Sequence, residues 1–181
     1  MIVVSLEGAQ GVGKTTLIEH IARQGYSVEN ELYIDVQASP LDPQSFLNES
    51  CWVSAWFQRV LQCNSKILVT DRSPFSAVCF SKTNNILLDN MVKANIAELA
   101  EIGVHVKTVH VKVEEPKLWD RICDRLKKNP HREKYNEGSR PWLKQVLEFY
   151  DSHEWDYEID NTGDTATAQL TALLNSLSSK E

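Results

Sequence analysis

The feature that most constrains the fold of this chain is a glycine-rich run near its N-terminus, Gly8-Ala9-Gln10-Gly11-Val12-Gly13-Lys14-Thr15. The run has the spacing G-x-x-x-x-G-K-T, which is typical of a phosphate-binding loop. An apolar run at residues 1–6 precedes it and predicts a buried strand, while Leu17, Ile18 and Ile21 follow at helical spacing. A strand, a glycine-rich turn and a helix in this order predict a site for the phosphates of a nucleotide.

Each part of this run has a physical reason to bind phosphate. Glycines allow consecutive backbone N–H groups to turn toward an anion, and the helix that begins at Gly13 adds its positive dipole end. The Lys14 ammonium can reach the β- and γ-phosphates, and the Thr15 hydroxyl can ligate Mg²⁺. We therefore expect the nucleotide to be bound by Gly8, Gly11, Val12, Gly13, Lys14, Thr15 and Thr16.

Strands and helices alternate along the rest of the chain. Apolar runs predict further strands at 26–28, 66–70, 104–113 and 156–160, and helical spacing predicts helices at 48–63, 87–102, 115–127, 139–153 and 164–177. This alternation favours a parallel sheet that is covered on both faces. We expect a three-layer α/β fold of the P-loop NTPase type with a central parallel five-stranded sheet. Flanking helices would complete a single domain over residues 1–181.

A second polar group follows the predicted strand at 66–70, where Asp71 and Arg72 end the apolar run. Ligands of open parallel sheets lie beyond the carboxyl ends of the strands, so Asp71 is expected to meet the phosphate-binding loop. Because Mg²⁺ prefers carboxylate and water oxygens, Thr15 and Asp71 together predict a metal site. Arg72 is placed to contact the acceptor of a phosphoryl group. The alternative is an acid and an arginine that face solvent just past a strand.

These motifs resemble those of the P-loop nucleoside and nucleoside-monophosphate kinases, which include deoxynucleoside kinases and thymidylate kinases. The run Asp71-Arg72-Ser73-Pro74-Phe75-Ser76 is similar to the acid-Arg-Ser-x-x-Ser motif of deoxynucleoside kinases. Residues 25–31 resemble a strand that ends in a catalytic glutamate, and 56–58 resemble a helix that supplies a base-reading glutamine. Residues 121–133 are similar to the arginine-rich lid, which implies a helical lid at about 121–140. The resemblance spans most of the chain, although only the phosphate-binding loop is specific by itself.

The resemblance implies ATP- and Mg²⁺-dependent phosphoryl transfer to a nucleoside or a nucleoside monophosphate. It implies that Glu31, with Glu29 as the alternative, accepts the proton of the attacking hydroxyl. Gln58, Trp56 and Arg72 would contact the substrate, although the spacing of Trp52 and Trp56, four apart on one helix face, favours core packing. Arg121 would contact ATP. The implied catalytic residues are Lys14, Glu31, Asp71, Arg72, Arg125 and Arg132.

The overall charge and the apolar pattern limit the partners of such a protein. Asp and Glu total 25 and Lys and Arg total 19, and the net charge of −6 gives no support to a role in coating nucleic acid. No apolar run approaches the roughly 18–20 residues needed to cross a bilayer, and no signal segment is recognisable, so we expect a cytoplasmic protein without a membrane partner. The four scattered cysteines are expected to be reduced. The sequence leaves open whether two copies of the chain form a homodimer.

Two other classes of nucleotide-binding protein are alternatives at this point. A GTPase switch would need Asp-x-x-Gly after the third strand and Asn-Lys-x-Asp for guanine, and the sequence has neither. A nucleotide-binding regulator without transfer activity would keep the phosphate-binding loop and lose the acceptor site. A kinase that acts on another small molecule is a variant of the first hypothesis, because the acceptor pocket is the part least determined by these motifs.

Overall fold

The computed structural model describes residues 1–30, 41–42 and 44–179. The strands of this described part form one parallel sheet, and they are β1 (Ile2–Glu7), β2 (Ser27–Glu29), β3 (Ile67–Asp71), β4 (His105–Lys112) and β5 (Tyr157–Asp160). Their order across the sheet is β2-β3-β1-β4-β5, so the strand that leads into the phosphate-binding loop lies at the centre. The predicted parallel five-stranded α/β fold is confirmed.

Helices cover both faces of this sheet. They are α1 (Lys14–Arg23), α2 (Phe46–Gln62), α3 (Phe75–Phe80), α4 (Asn85–Glu101), α5 (Glu115–Lys128), α6 (Arg140–Ser152) and α7 (Ala166–Ser178), with a 3-10 helix at Pro130–Tyr135. The predicted helices end within two residues of these bounds, whereas α3 was not predicted because six residues are too few to show a helical period. None of the helices in the described ranges is long and apolar enough to cross a membrane.

The core is divided between the two faces of the sheet. Alternate residues of β1 point to opposite faces, so Val3 packs among α2, α3 and α4 while Val4 and Leu6 pack among α1, α5, α6 and α7. Burial on both faces explains why β1 and β3 are continuous apolar runs instead of alternating ones. Two polar residues inside this layer satisfy each other, because the Thr70 hydroxyl donates a hydrogen bond to the Ser5 hydroxyl at 2.8 Å.

The register of the central strands places the candidate site. Leu6 of β1 pairs with Asp71 of β3, so the acid that ends β3 lies beside the start of the phosphate-binding loop. On the other side of β3, Glu29 pairs with Thr70. The carboxyl ends of these three strands therefore converge on one edge of the sheet, as the topology of open parallel sheets requires.

At the other edge of the sheet, Asp156 ties β5 to β4. Its carboxylate accepts hydrogen bonds from the Lys107 ammonium at 2.7 Å and from the backbone N–H and hydroxyl of Thr108 at 2.9 and 3.1 Å. Burial acts to raise the pKa of this carboxyl, but the hydrogen bonds from Lys107 and Thr108 outweigh it and lower the pKa of Asp156 below its ordinary value. The ionised form is therefore favoured in the folded protein.

Because the pKa of Asp156 is lower in the folded chain, its contribution to stability is present at neutral pH and is lost as the pH falls below about 4. We expect the free energy of unfolding of the wild-type protein to fall more steeply between about pH 5 and pH 3 than that of Asp156→Asn. Urea unfolding across this range checks the expectation, with Asp151→Asn, an exposed acid on α6, as the control. Parallel pH profiles for the wild type and Asp156→Asn would contradict it.

Candidate active site

The loop between β1 and α1 wraps around the amino group of Lys14. Gly8, Gly11 and Gly13 have φ angles of +141°, +89° and +97°, which residues with a side chain rarely adopt. The Lys14 ammonium is buried and donates hydrogen bonds to the carbonyl oxygens of Gly8 at 2.8 Å and Ala9 at 3.1 Å. Helix α1 begins at Lys14, so the N–H groups of its first turn lie at the same place and suit an anion.

Close neighbours explain why two of these positions are glycine. A Cβ atom at Gly8 would lie 2.5 Å from the Val111 carbonyl oxygen, and one at Gly13 would lie 2.5 Å from Asn161 Nδ2. Asn161 follows β5, and its side-chain amide donates a hydrogen bond to the Val12 carbonyl oxygen at 2.7 Å. Val111 of β4 and Asn161 after β5 thus contact the loop at Gly8 and Val12 and stabilise its shape.

Asp71 and Thr15 meet as the sequence predicts. Asp71 is the last residue of β3 and is buried, and its carboxylate accepts a hydrogen bond from the Thr15 hydroxyl at 2.7 Å. Both side chains offer oxygen ligands of the kind that Mg²⁺ prefers, so they fit a magnesium ion at this position. No group of three or more His, Cys, Asp or Glu side chains suited to a metal occurs within residues 1–30, 41–42 and 44–179. The remaining ligands of an ion here would be oxygens of phosphate and water.

An open cleft of about 490 Å³ faces the loop. Its described lining consists of Gln10, Gly11, Gly13, Lys14, Thr15, Thr16, Asn30, Asp71, Arg72, Arg121, Arg125 and Arg132. Five of these side chains are cations and one is an acid, so the lining suits a highly negative ligand. The cleft therefore combines the loop amides, the Thr15–Asp71 pair and the arginines of the predicted lid.

The three predicted lid arginines donate hydrogen bonds to two different acceptors. Arg121 donates to the backbone carbonyl of Asn161 at 3.0 Å. Arg125 and Arg132 both donate to the carboxylate of Glu137, at 2.7 Å and at 3.1 and 3.2 Å. Glu137 was not predicted, because one acid in a charged stretch carries no signal of its own. Its position a few residues after the basic run was the only available hint.

Arg72 has an unusual backbone and a well-packed side chain. Its φ is +79°, and its backbone N–H donates to the Leu6 carbonyl oxygen at 2.9 Å. The guanidinium lies 4.9 Å from the centre of the Phe80 ring and donates to the hydroxyl of Ser76 at 3.2 Å and to that of Tyr150 at 3.5 Å. These contacts hold a cation at the floor of the cleft, where it lies beside Asp71.

A fully buried acid, Glu7, lies behind Arg72 and was also missed. One carboxylate oxygen accepts from the backbone N–H and hydroxyl of Ser73 at 2.7 and 2.6 Å, and the other accepts from Ser76 at 2.7 Å and Tyr150 at 2.9 Å. Burial, with the negative charge of Glu7, raises the pKa of Tyr150 well above its ordinary value, so its phenol remains a donor. An acid at the end of a buried strand was the signal that could have indicated this site.

The acceptor-side residues are not all brought to the cleft. Trp56 is buried on α2, where its indole N–H donates to the Arg72 carbonyl oxygen at 3.1 Å. This contact gives Trp56 a packing role beneath the site, in place of the exposed face that stacking on a base would need. Gln58 is exposed and lies outside the described lining of the cleft. Contact of either residue with substrate stays a prediction.

The two candidate bases differ in what the structure shows of them. Glu29 ends β2 and forms an ion pair with Arg59 at 2.9 Å, and both line a narrow crevice that reaches Asp71. Glu31 lies outside the described residues, so its role as a base stays a prediction.

Comparison with known proteins identifies the family. The sequence model of the family described as the AAA domain matches residues 4–142, which is most of the chain. The chain belongs to the AAA-domain family. No curated protein sequence matches it.

Solved structures of similar fold include several kinases. Deoxyadenosine kinase from M. mycoides is 18% identical with a TM-score of 0.60, covering 96% of this chain and 99% of that one. A gluconokinase from Sinorhizobium meliloti is 16% identical with a TM-score of 0.57, covering 99% and 97%. Shikimate kinase from Bacteroides thetaiotaomicron is 16% identical with a TM-score of 0.54, covering 96% and 98%. This AAA-domain protein therefore has the fold of P-loop kinases, as the sequence predicts.

We expect Gly13→Ala to destabilise the protein more than Gly25→Ala. Both glycines have positive φ, +97° and +91°, so alanine costs about 1–2 kcal/mol in backbone strain at either position. Only at Gly13 would the new methyl displace the Asn161 amide from Val12, which adds about 1–3 kcal/mol, whereas no described heavy atom lies within 4 Å of a Cβ at Gly25. Urea unfolding of the two variants measures the difference. Equal losses would show that Asn161 does not brace the loop.

Proposed function

We propose that this protein transfers the γ-phosphoryl group of ATP to a nucleoside or a nucleoside monophosphate. The observation that carries the proposal is the 2.7 Å hydrogen bond between Thr15 and Asp71 at the mouth of the phosphate-binding loop. A hydroxyl and a carboxylate meet there at the edge of a cleft lined by five cations. This arrangement suits phosphoryl transfer, because a protein catalyses that reaction mainly by positioning the reactants and by stabilising negative charge.

On the donor side, the loop amides and Lys14 would bind the triphosphate. The Lys14 ammonium already lies inside the loop, 2.8 Å from the Gly8 carbonyl oxygen, so it needs little movement to reach a phosphate oxygen. Thr15 and Asp71 would hold Mg²⁺, which neutralises phosphate charge when it is bound. Arg72, with the lid arginines Arg121, Arg125 and Arg132, would stabilise the charge of the phosphoryl group during transfer.

On the acceptor side, a narrow crevice of about 10 Å³ lies beside Asp71. Glu29, Arg59, Trp52 and Trp56 are among its lining residues. The carboxylate of Glu29 is engaged by Arg59 at 2.9 Å, so we propose Glu31 as the base for the acceptor hydroxyl. The deoxyadenosine kinase of similar fold was solved with dCMP and dCDP, and this likeness agrees with a nucleoside acceptor.

A kinase for another small polyol or hydroxy acid is the second candidate. The gluconokinase and the shikimate kinase share the fold at 16% identity, close to the 18% of the deoxyadenosine kinase. The fold therefore supports phosphoryl transfer more strongly than it supports any one acceptor. A screen that includes both kinds of acceptor separates the candidates.

The screen incubates the protein with ATP and Mg²⁺ and a panel of nucleosides, nucleoside monophosphates, gluconate and shikimate, with products identified by mass. We expect a phosphorylated nucleoside or nucleoside monophosphate. Lys14→Ala should lower the rate at least about a hundredfold, because a cation that meets the transferring phosphoryl group is lost. Lys66→Ala, an exposed lysine at the opposite end of β3, is the control and should keep the wild-type rate. Undiminished transfer by Lys14→Ala would refute the proposed function.

The metal assignment has its own test, which needs no acceptor. ATP with Mg²⁺ should raise the unfolding temperature of the wild-type protein by mass action, and EDTA should remove most of that gain. In Asp71→Asn the gain from ATP should become nearly independent of Mg²⁺, because a neutral amide is a poorer ligand. Differential scanning fluorimetry measures the unfolding temperatures of the wild type and of Asp71→Asn, each with ATP and Mg²⁺ and with ATP and EDTA. Asp151→Asn is the matched control. If Asp71→Asn responds to EDTA as the wild type does, Asp71 is not a metal ligand.

A further inference from the structure

The arginines Arg125 and Arg132 share one buried partner. Glu137 follows the 3-10 helix of the lid, and its side chain is only 6% exposed although it carries a charge. It accepts a hydrogen bond from Arg125 at 2.7 Å and two from Nε of Arg132 at 3.1 and 3.2 Å. A carboxylate at this depth is tolerated only when it is paired and hydrogen-bonded. Both arginines also line the phosphate cleft, so the carboxylate joins two cations of the candidate site.

We propose that Glu137 is a positioning residue of the lid, which fixes Arg125 and Arg132 as one preformed pair of cations beside the phosphoryl group in transfer. This inference rests on the proposed function. An arginine side chain has many rotamers, and the bonds to Glu137 remove that freedom when the protein folds instead of when it reacts. A guanidinium has five N–H donors, so a bond to Glu137 engages only part of each fork.

The charge of Glu137 has a second consequence, which separates positioning from simple attraction. The carboxylate offsets part of the positive charge of the arginine pair, so it weakens the general pull of the cleft on ATP. This loss of attraction roughly offsets what the positioned arginines gain in binding ATP, so the net benefit of Glu137 appears in the transfer step, where donors held in place stabilise charge as it develops. A role that was only structural would change stability and leave the balance between kcat and KM as it was.

The first test compares Glu137→Gln with Glu133→Gln, which removes an equal charge from an exposed position in the 3-10 helix that precedes Glu137. We expect Glu137→Gln to lower kcat at least about tenfold with the KM for ATP within about threefold, and Glu133→Gln to stay within about twofold of the wild type. Unchanged kcat in Glu137→Gln would overturn the proposal. Glu137→Asp keeps the charge on a shorter side chain, and we expect a loss of about three- to tenfold. A fully active Glu137→Asp would also overturn the proposal, even if Glu137→Gln did not fold.

The second test asks whether Glu137 acts through the arginines. When Glu137→Gln is added to the Arg125→Gln/Arg132→Gln double variant, kcat should fall by less than about twofold further. A further loss as large as in the wild-type background would overturn the proposal.

A third readout needs neither an acceptor nor turnover. By isothermal titration with ATP, removal of both arginines should weaken binding about tenfold in the wild-type background and less than about threefold in the Glu137→Gln background. Equal losses in the two backgrounds would show that the arginines reach phosphate without Glu137. If the wild-type protein formed no product with any acceptor, the proposed function would fail, while this cycle would still decide whether Glu137 positions the arginines.

Discussion

The buried carboxylate of Glu7 is the contact on which the rest of the site depends. A fully buried charge costs several kcal/mol unless its oxygens are hydrogen-bonded, and here the four donors come from the turn after β3, from α3 and from α6. Glu7 immediately precedes the first glycine of the phosphate-binding loop, and Ser73 lies two residues after Asp71. The same hydrogen bonds that satisfy Glu7 therefore fix the distance between the loop and the acid that contacts Thr15.

Around that fixed centre, four cations of the cleft are held by two kinds of acceptor, backbone carbonyl oxygens and a carboxylate. Lys14 is held by carbonyl oxygens of its own loop, and Arg121 by a carbonyl oxygen of the segment after β5. Arg125 and Arg132 share a carboxylate instead. In each of these cases the positive charge has an acceptor that sets its position. A cleft built in this way is ordered before a polyanion arrives, which is the condition for strong electrostatic stabilisation.

The sequence predicted those parts of the molecule that local patterns determine. Apolar runs specify the strands, glycine spacing specifies the loop, and the rule that ligands lie at the carboxyl ends of parallel strands was enough to bring Asp71 to Thr15. The contacts of Glu7 and Glu137 could not be predicted, because each depends on packing between segments and not on any periodicity. Gln58 was assigned to the substrate by resemblance alone, and the structure places it on the exposed side of α2.

The brace between Asn161 and Val12 joins residues that are 149 positions apart, and the bond between Tyr150 and Glu7 spans 143. The phosphate-binding loop thus obtains its shape from segments that the ribosome makes long after it. While the chain is being synthesised, the glycine run can be outside the ribosome and still lack the backing of β5 and α6. A nascent chain in which β5 and α6 have not yet folded therefore carries the motif without the contacts that hold its shape. The shape of the phosphate-binding loop is consequently a property of the folded domain and not of β1, the loop and α1 alone.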